Sequence, residues 1–178
     1  MNVREILLKY YEEGSALLEL LTTHSEMVAR KALSLAEHTG LGVDKEFIRD
    51  AAMLHDIGIF RCNAPSIHCT GIEPYIRHGI IGGSIMREEG CPEIANVCER
   101  HTGSGLTAKE IERQGLPLPH HDFLPVTLEE KLICYADKFY SKSGNPIEEK
   151  PFERVRASMA KFGEDSLARF DEMAEMFH

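Results

Sequence analysis

The chain has no cysteine pair spaced C-x-x-C, no apolar run of membrane length, and no excess of basic residues. Each absence narrows what it can be. Its five cysteines, Cys62, Cys69, Cys91, Cys98 and Cys134, are odd in number, which argues against a disulfide framework and a zinc knuckle alike. They read as buried or incidental thiols. A membrane span needs about 20 consecutive apolar residues, and no stretch approaches that. The opening MNVREILLKYYEEGSALLELL is interrupted by Arg4, Glu5, Lys9, Glu12 and Glu13, so it does not read as a signal peptide. The expectation is a soluble, cytoplasmic protein without a membrane partner. Twenty Lys and Arg against 29 Asp and Glu leave a net charge of -9, which disfavours nucleic-acid polymers and anionic membranes. A small phosphorylated partner stays compatible, because it needs only local positive charge or metal. No alternating strand pattern, internal repeat or low-complexity segment is present.

What is there points to helices. With 178 residues, 43% hydrophobic, the chain suits one domain with a real core. Leu7, Leu8, Tyr11, Leu17, Leu18 and Leu21 predict an amphipathic first helix, broken near Gly14. Thr23-His24-Ser25-Glu26 has the form of a capping box, predicting a second helix that starts at His24 and ends near Gly40. Asp44 caps a third, predicted to run to about Gly58, and residues 61–73 form a loop. Residues 75–89 and 91–102 look helical. Thr107-Ala108-Lys109-Glu110 and Thr127-Leu128-Glu129-Glu130 are further capping boxes, the second opening a helix through Asp137 to about Tyr140. Between them, QGLPLPHHDFLP has three prolines and must be loop. Residues 151–177 predict one or two last helices. An all-α single domain follows.

One pair stands out. In AAMLHDIGIF, His55 and Asp56 sit side by side inside an apolar run. A buried carboxylate is costly without a partner. A metal would offset its charge and take an imidazole lone pair; an ordinary buried His–Asp hydrogen bond is the plain alternative. Asp137, among Leu132, Ile133, Tyr135, Ala136 and Phe139, poses the same problem. With His24, the order His…His-Asp…Asp supplies two imidazoles and two carboxylates. That mixed set suits a divalent transition metal with open positions for water.

The order, with HDIG at residues 55–58, resembles the HD-domain superfamily of metal-dependent phosphohydrolases. The resemblance runs from about His24 to Asp137. It implies a single helical HD-type domain over 1–178, with its motif core at about 24–140 and C-terminal helices at 151–177. His24, His55, Asp56 and Asp137 map onto the family's metal ligands. His78, in YIRHGIIGGSIM, and His101, in NVCERHTGSG, complete the order H…HD…H…H…D that resembles the two-metal members. Carried over, Asp56 bridges two divalent ions and His78 and His101 hold the second. Iron, manganese or another transition metal suits these donors. The same six-ligand order resembles that of the small diadenosine-tetraphosphate hydrolases, at the level of motif.

A phosphate ester needs cations around its oxygens. Lys138 and Arg77, each one residue from a ligand, are the leading substrate contacts, ahead of Arg100 and of Arg61 just after the HD turn. Gly82 and Gly83 read as helix-packing positions and Gly103 as a helix end. His68, His120 and His121 stay outside the site as loop residues, with His121 the nearest to an exception. His38 and His178 read as a helix end and a chain end. The functional expectation is a hydrolase that uses metal-bound water on a nucleotide, a dinucleoside polyphosphate or a similar small molecule. The alternative is a di-iron HD-type oxygenase cleaving a carbon bond, since the same ligands suit both. A non-catalytic binding module ranks third, as none of the six ligands is missing. A homo-oligomer is compatible with the sequence.

Overall fold

The computed structural model describes residues 1–177; His178 lies outside the described residues. Among them the chain is almost entirely helical. A short α1 (Val3–Tyr10) leads into the long α2 (Ala16–Thr39), followed by α3 (Lys45–Leu54). Next come a 3₁₀ turn at Ile57–Arg61 and a minimal hairpin of β1 (Asn63–Ala64) and β2 (Cys69–Thr70). This hairpin is the one departure from the all-helical expectation. Two residues per strand are too few to show an alternating pattern, and the turn uses His68 at φ 65°. The rest comprises α4 (His78–Glu88), α5 (Pro92–Arg100), α6 (Ala108–Gln114), α7 (Leu128–Asp137), α8 (Phe152–Ala160) and α9 (Glu164–Phe177).

The expected start of α2 at His24 is wrong by two turns. Ser15 is the cap, accepting from the Leu18 N–H, and Gly14 makes the preceding break at φ 76°. A helix begun at His24 would interrupt the stripe formed by Leu21, His24, Ser25, Val28, Ala32 and Ala36, all buried. That stripe keeps the helical spacing, so burial overrides the local capping signal. His24 therefore sits mid-helix, inside the core. Also shorter than expected is α3: it ends at Leu54 with His55 as its cap residue, and the HDIG segment turns away. Asp44 does cap α3, by accepting from the Phe47 N–H. Thr107 and Glu110 form the reciprocal box on α6.

Glycine decides how closely the HD turn approaches α4. A Cβ at Gly58 would overlap the His78 carbonyl oxygen and lie 2.6 Å from the Gly82 nitrogen. One turn along α4, a Cβ at Gly79 would stand 2.6 Å from the Cys98 carbonyl oxygen of α5. Bare backbone at these positions brings the HD turn, α4 and α5 into three close layers. Tyr135, Phe139, Phe170 and Phe177, all buried, tie α7 to α9, with the Tyr135 and Phe170 rings stacked at 5.2 Å. Each such side chain contributes about 1.5–3 kcal/mol by burial. Glu130 of α7, buried, receives Arg100 of α5 at 2.9 and 3.0 Å. That pair sets the end of α5, and so His101, opposite the end of α7, and so Asp137.

Candidate metal centre

Six side chains from five segments converge in the middle of the bundle. His24 comes from mid-α2, and His55 and Asp56 from the turn after α3. His78 opens α4, His101 follows α5, and Asp137 ends α7. All six are buried. They form two groups that share Asp56, and within each group the potential ligand atoms lie within 4.8 Å of one another.

Asp56 divides its two oxygens between the groups. Its Oδ2 lies 3.0 Å from His55 Nε2 and 3.5 Å from His24 Nε2. Its Oδ1 lies 3.4 Å from both His78 Nε2 and His101 Nε2. Asp137 Oδ1 closes the first group, 3.0 Å from His24 Nε2 and 3.5 Å from His55 Nε2.

The opposite ring nitrogens fix the tautomers. His55 Nδ1 donates to the Ala52 carbonyl at 2.6 Å, His78 Nδ1 to Tyr75 at 2.6 Å, and His101 Nδ1 to Cys98 at 2.8 Å. A neutral imidazole carries one proton, so these bonds turn the Nε2 lone pairs of His78 and His101 toward the centre, and that of His55 once its second proton is lost.

Burial dominates the electrostatics. It lowers His24 to about 4 and His78 to about 3, and it lowers His101 as well, so these three are neutral at neutral pH. His55 behaves differently: burial opposes its charge, but Asp56 and Asp137 outweigh burial and raise it to about 9. Burial likewise opposes ionisation of the two aspartates. Lys142 and His55 nevertheless hold Asp56 well below the usual carboxylate range, and Lys138 and Lys142 do the same for Asp137.

The residues present suit a divalent metal. Asp56 Oδ1 and His55 Nε2 are buried without a well-directed hydrogen bond, and Asp56 Oδ2 is met by an ammonium, that of Lys142. Such atoms are costly in a protein interior unless an ion occupies them. Four imidazole nitrogens and two carboxylates make a mixed N/O donor set for a transition metal. No cysteine enters either group.

The basic residues fall differently from expectation. Lys138 reaches the site: its Nζ is 2.6 Å from Asp137 Oδ2 and donates to the His101 carbonyl at 2.9 Å. Arg77 is not brought there. Its guanidinium pairs with Glu73 at 2.8 Å and donates to the Pro117 carbonyl at 2.9 Å. Being one residue from His78 turns it outward, because neighbouring helical positions diverge by about 100°. Arg61 is exposed against Phe60, and Arg100 is held by Glu130. His38, His68, His120 and His121 are exposed. Sequence reasoning missed Lys142, whose Nζ lies 2.5 Å from Asp56 Oδ2. It also missed Tyr75, which lines the same cavity as Lys142 and stacks on His78 at 4.7 Å. The one available signal was the spacing of Lys138 and Lys142, which puts both just beyond Asp137.

A cavity of about 400 Å³ opens beside this centre, lined among others by Tyr75, Asp137, Lys138, Lys142 and Lys150. Residues 21–141 match the HD domain family, a span that holds all six converging side chains. The chain belongs to the HD domain family. This HD protein is 40% identical over 123 residues to the uncharacterized protein MJ0778 of Methanocaldococcus jannaschii, covering 67% of this chain and 65% of that one. It is 32% identical over 124 residues to a tRNA (cytidine(56)-2'-O)-methyltransferase of Picrophilus torridus, covering 69% of this chain and 32% of the enzyme. The chain thus spans under two thirds of the length of these curated relatives. Its fold is similar to that of the HD domain of the L. monocytogenes phosphodiesterase PgpH, with a TM-score of 0.51, 14% identity and 99% of each chain covered. No described helix is long and apolar enough to cross a membrane.

Proposed function

We propose that this HD protein is a metal-dependent phosphohydrolase for a small phosphorylated molecule, with two divalent ions held by His24, His55, Asp56, His78, His101 and Asp137. The observation that carries this reading is the division of the Asp56 oxygens between two histidine groups, beside a cavity lined by lysines. When bound, such ions supply an acidified water and neutralise charge on phosphoryl oxygens. The chain's own residues supply the rest. The neutral imidazoles stay available as donors because burial suppresses their protonation. Lys138, anchored between Asp137 and the His101 carbonyl, presents a fixed positive charge at the cavity wall, where a developing charge on a phosphoryl oxygen is stabilised without reorganisation. The apolar lining residues Ile67, Val155 and Met159 restrict water and give an organic moiety a surface.

The name of PgpH, a phosphodiesterase, agrees with this reading. The methyltransferase relatives do not point to their own reaction here, since the match covers only 32% of the Picrophilus enzyme. The cavity of about 400 Å³ is near the small end of ligand sites and suits a mononucleotide or sugar phosphate better than a dinucleoside polyphosphate.

The test is a phosphate-release screen over nucleotides, sugar phosphates and dinucleoside polyphosphates, with metal analysis of the same preparation. Hydrolysis that needs a divalent metal and stops with chelator is the expected result. Iron in the protein, oxygen uptake with an organic substrate and no hydrolysis would move it to the oxygenase reaction.

A further inference from the structure

Three lysines line the cavity beside the metal centre, and they are held in different ways. Lys138 is fixed by Asp137 and by the His101 carbonyl. Lys150 gives its ammonium to the Lys138 and Tyr140 carbonyls, at 3.2 and 3.3 Å. Lys142 rests on Asp56 Oδ2 at 2.5 Å, and Tyr75 lines the cavity beside it. That oxygen is the one that faces His24 and His55. Lys142 therefore holds the carboxylate atom that the first metal group offers to an ion.

We infer that Lys142 is a stand-in cation: its ammonium neutralises Asp56 in the metal-free protein, gives up the oxygen when a divalent ion binds, and then contacts substrate phosphate in the adjoining cavity. This inference rests on the phosphohydrolase reading for its last step only. The charge balance supports the exchange. Two buried carboxylates hold Lys142 and Lys138 beside a charged His55, and a dication among them would repel an ammonium at the same oxygen. The place vacated by Lys142 is continuous with the cavity it already lines.

The local backbone supports the movement. Residues 141–149 form a loop whose hydrogen bonds are mostly short-range, such as Ser143 N to Ser141 Oγ and Ile147 N to Asn145 Oδ1, with Lys31 holding Glu149 at its far end. Gly144 takes φ 82°, and the base of the loop is closed by Lys150 N donating to the Phe139 carbonyl at 2.8 Å. Few long-range bonds hold such a segment in one position. Lys138 and Lys150, tied to backbone carbonyls, stay at the cavity wall while Lys142 exchanges partners.

The test reads the parent protein directly. Lysine acetylation by an N-hydroxysuccinimide ester, followed by peptide mass spectrometry, is measured in metal-free protein, after Mn²⁺ loading, and after adding inorganic phosphate to the loaded protein. The expected labelling of Lys142 is low, then about tenfold higher, then low again. Equal labelling with and without Mn²⁺ overturns the exchange. A rise with Mn²⁺ that phosphate does not reverse overturns the phosphate contact. In parallel, Lys142→Met should bind Mn²⁺ about tenfold or more tightly, because no ammonium has to leave. Its loaded form should bind inorganic phosphate about tenfold more weakly, and Lys142→Arg should recover phosphate binding. Unchanged or weaker Mn²⁺ affinity in Lys142→Met overturns the inference. None of these readouts needs turnover, so a protein that exchanges Lys142 but hydrolyses nothing would refute the hydrolase reading alone.

Discussion

His78 and His101 point their Nε2 atoms at each other across 3.0 Å. Both rings donate Nδ1–H to a backbone carbonyl, so two lone pairs meet at that distance. Two acceptors facing each other in a dry interior repel unless a proton or a cation lies between them. Burial lowers the proton affinity of both rings. A metal ion would remove the conflict, with Asp56 Oδ1, 3.4 Å from each nitrogen, as a further ligand.

Removing either of these histidines should therefore affect one ion only. His78→Ala and His101→Ala are each expected to lower bound metal from about two per chain towards about one. His24→Ala should deplete the other group, and Asp56→Ala should empty both. Elemental analysis of the purified variants checks this. Parent-like metal content in both His78→Ala and His101→Ala would mean a single-ion site.

Metal uptake should release a proton. His55 is raised to about 9 in the metal-free protein, so it is mostly protonated at neutral pH and must lose that proton to donate. Below about pH 9, affinity is expected to rise by about tenfold per pH unit at the first group, then level off above it. For folding of the metal-free protein the sign is opposite. A raised His55 stabilises the fold below its unfolded value of about 6.5, and the contribution is lost as pH rises through 9. Calorimetric titrations with Mn²⁺ in buffers of different ionisation enthalpy report the released proton. No buffer dependence would contradict a protonated His55.

Lys138 and Arg77 should separate sharply. Lys138→Ala is expected to slow hydrolysis about tenfold to a hundredfold and to leave metal bound. Arg77→Ala should stay within about twofold of the parent, because its guanidinium is engaged by Glu73 and Pro117. Steady-state rates with one substrate from the screen distinguish them. A large loss in Arg77→Ala would show that the guanidinium turns to the cavity in the working enzyme.

Gly58→Ala should damage both fold and site. Its added Cβ meets backbone atoms of His78 and Gly82, which have no room to yield. Overpacking of this kind costs about 1–3 kcal/mol, and the strain falls directly on the segment carrying His78. Urea unfolding and metal content measured together check it; a parent-like midpoint and full metal content would refute the packing argument.

Much of this protein is written locally. Asp44 and Thr107 cap the helices they were expected to cap, and the Tyr135 and Phe139 pattern buries as periodicity implies. The HDIG motif and the spacing of His24, His78, His101 and Asp137 carry the family signature, and the matched span includes all of them. These features depend on neighbours in the chain or on residue type alone. Other features were decided only when distant segments met. His24 and Asp137 are 113 residues apart and 3.0 Å distant, and the start of α2 was settled by the core stripe that carries His24 past a capping box. Arg77 looked like a substrate contact from its place beside His78, yet Glu73, one turn earlier, takes it. Lys142 bears no motif, and its place five residues after Asp137 is the one local mark it has. It reaches Asp56 because the loop after α7 folds back over the HD turn, and a buried carboxylate attracts whichever cation the fold brings within reach.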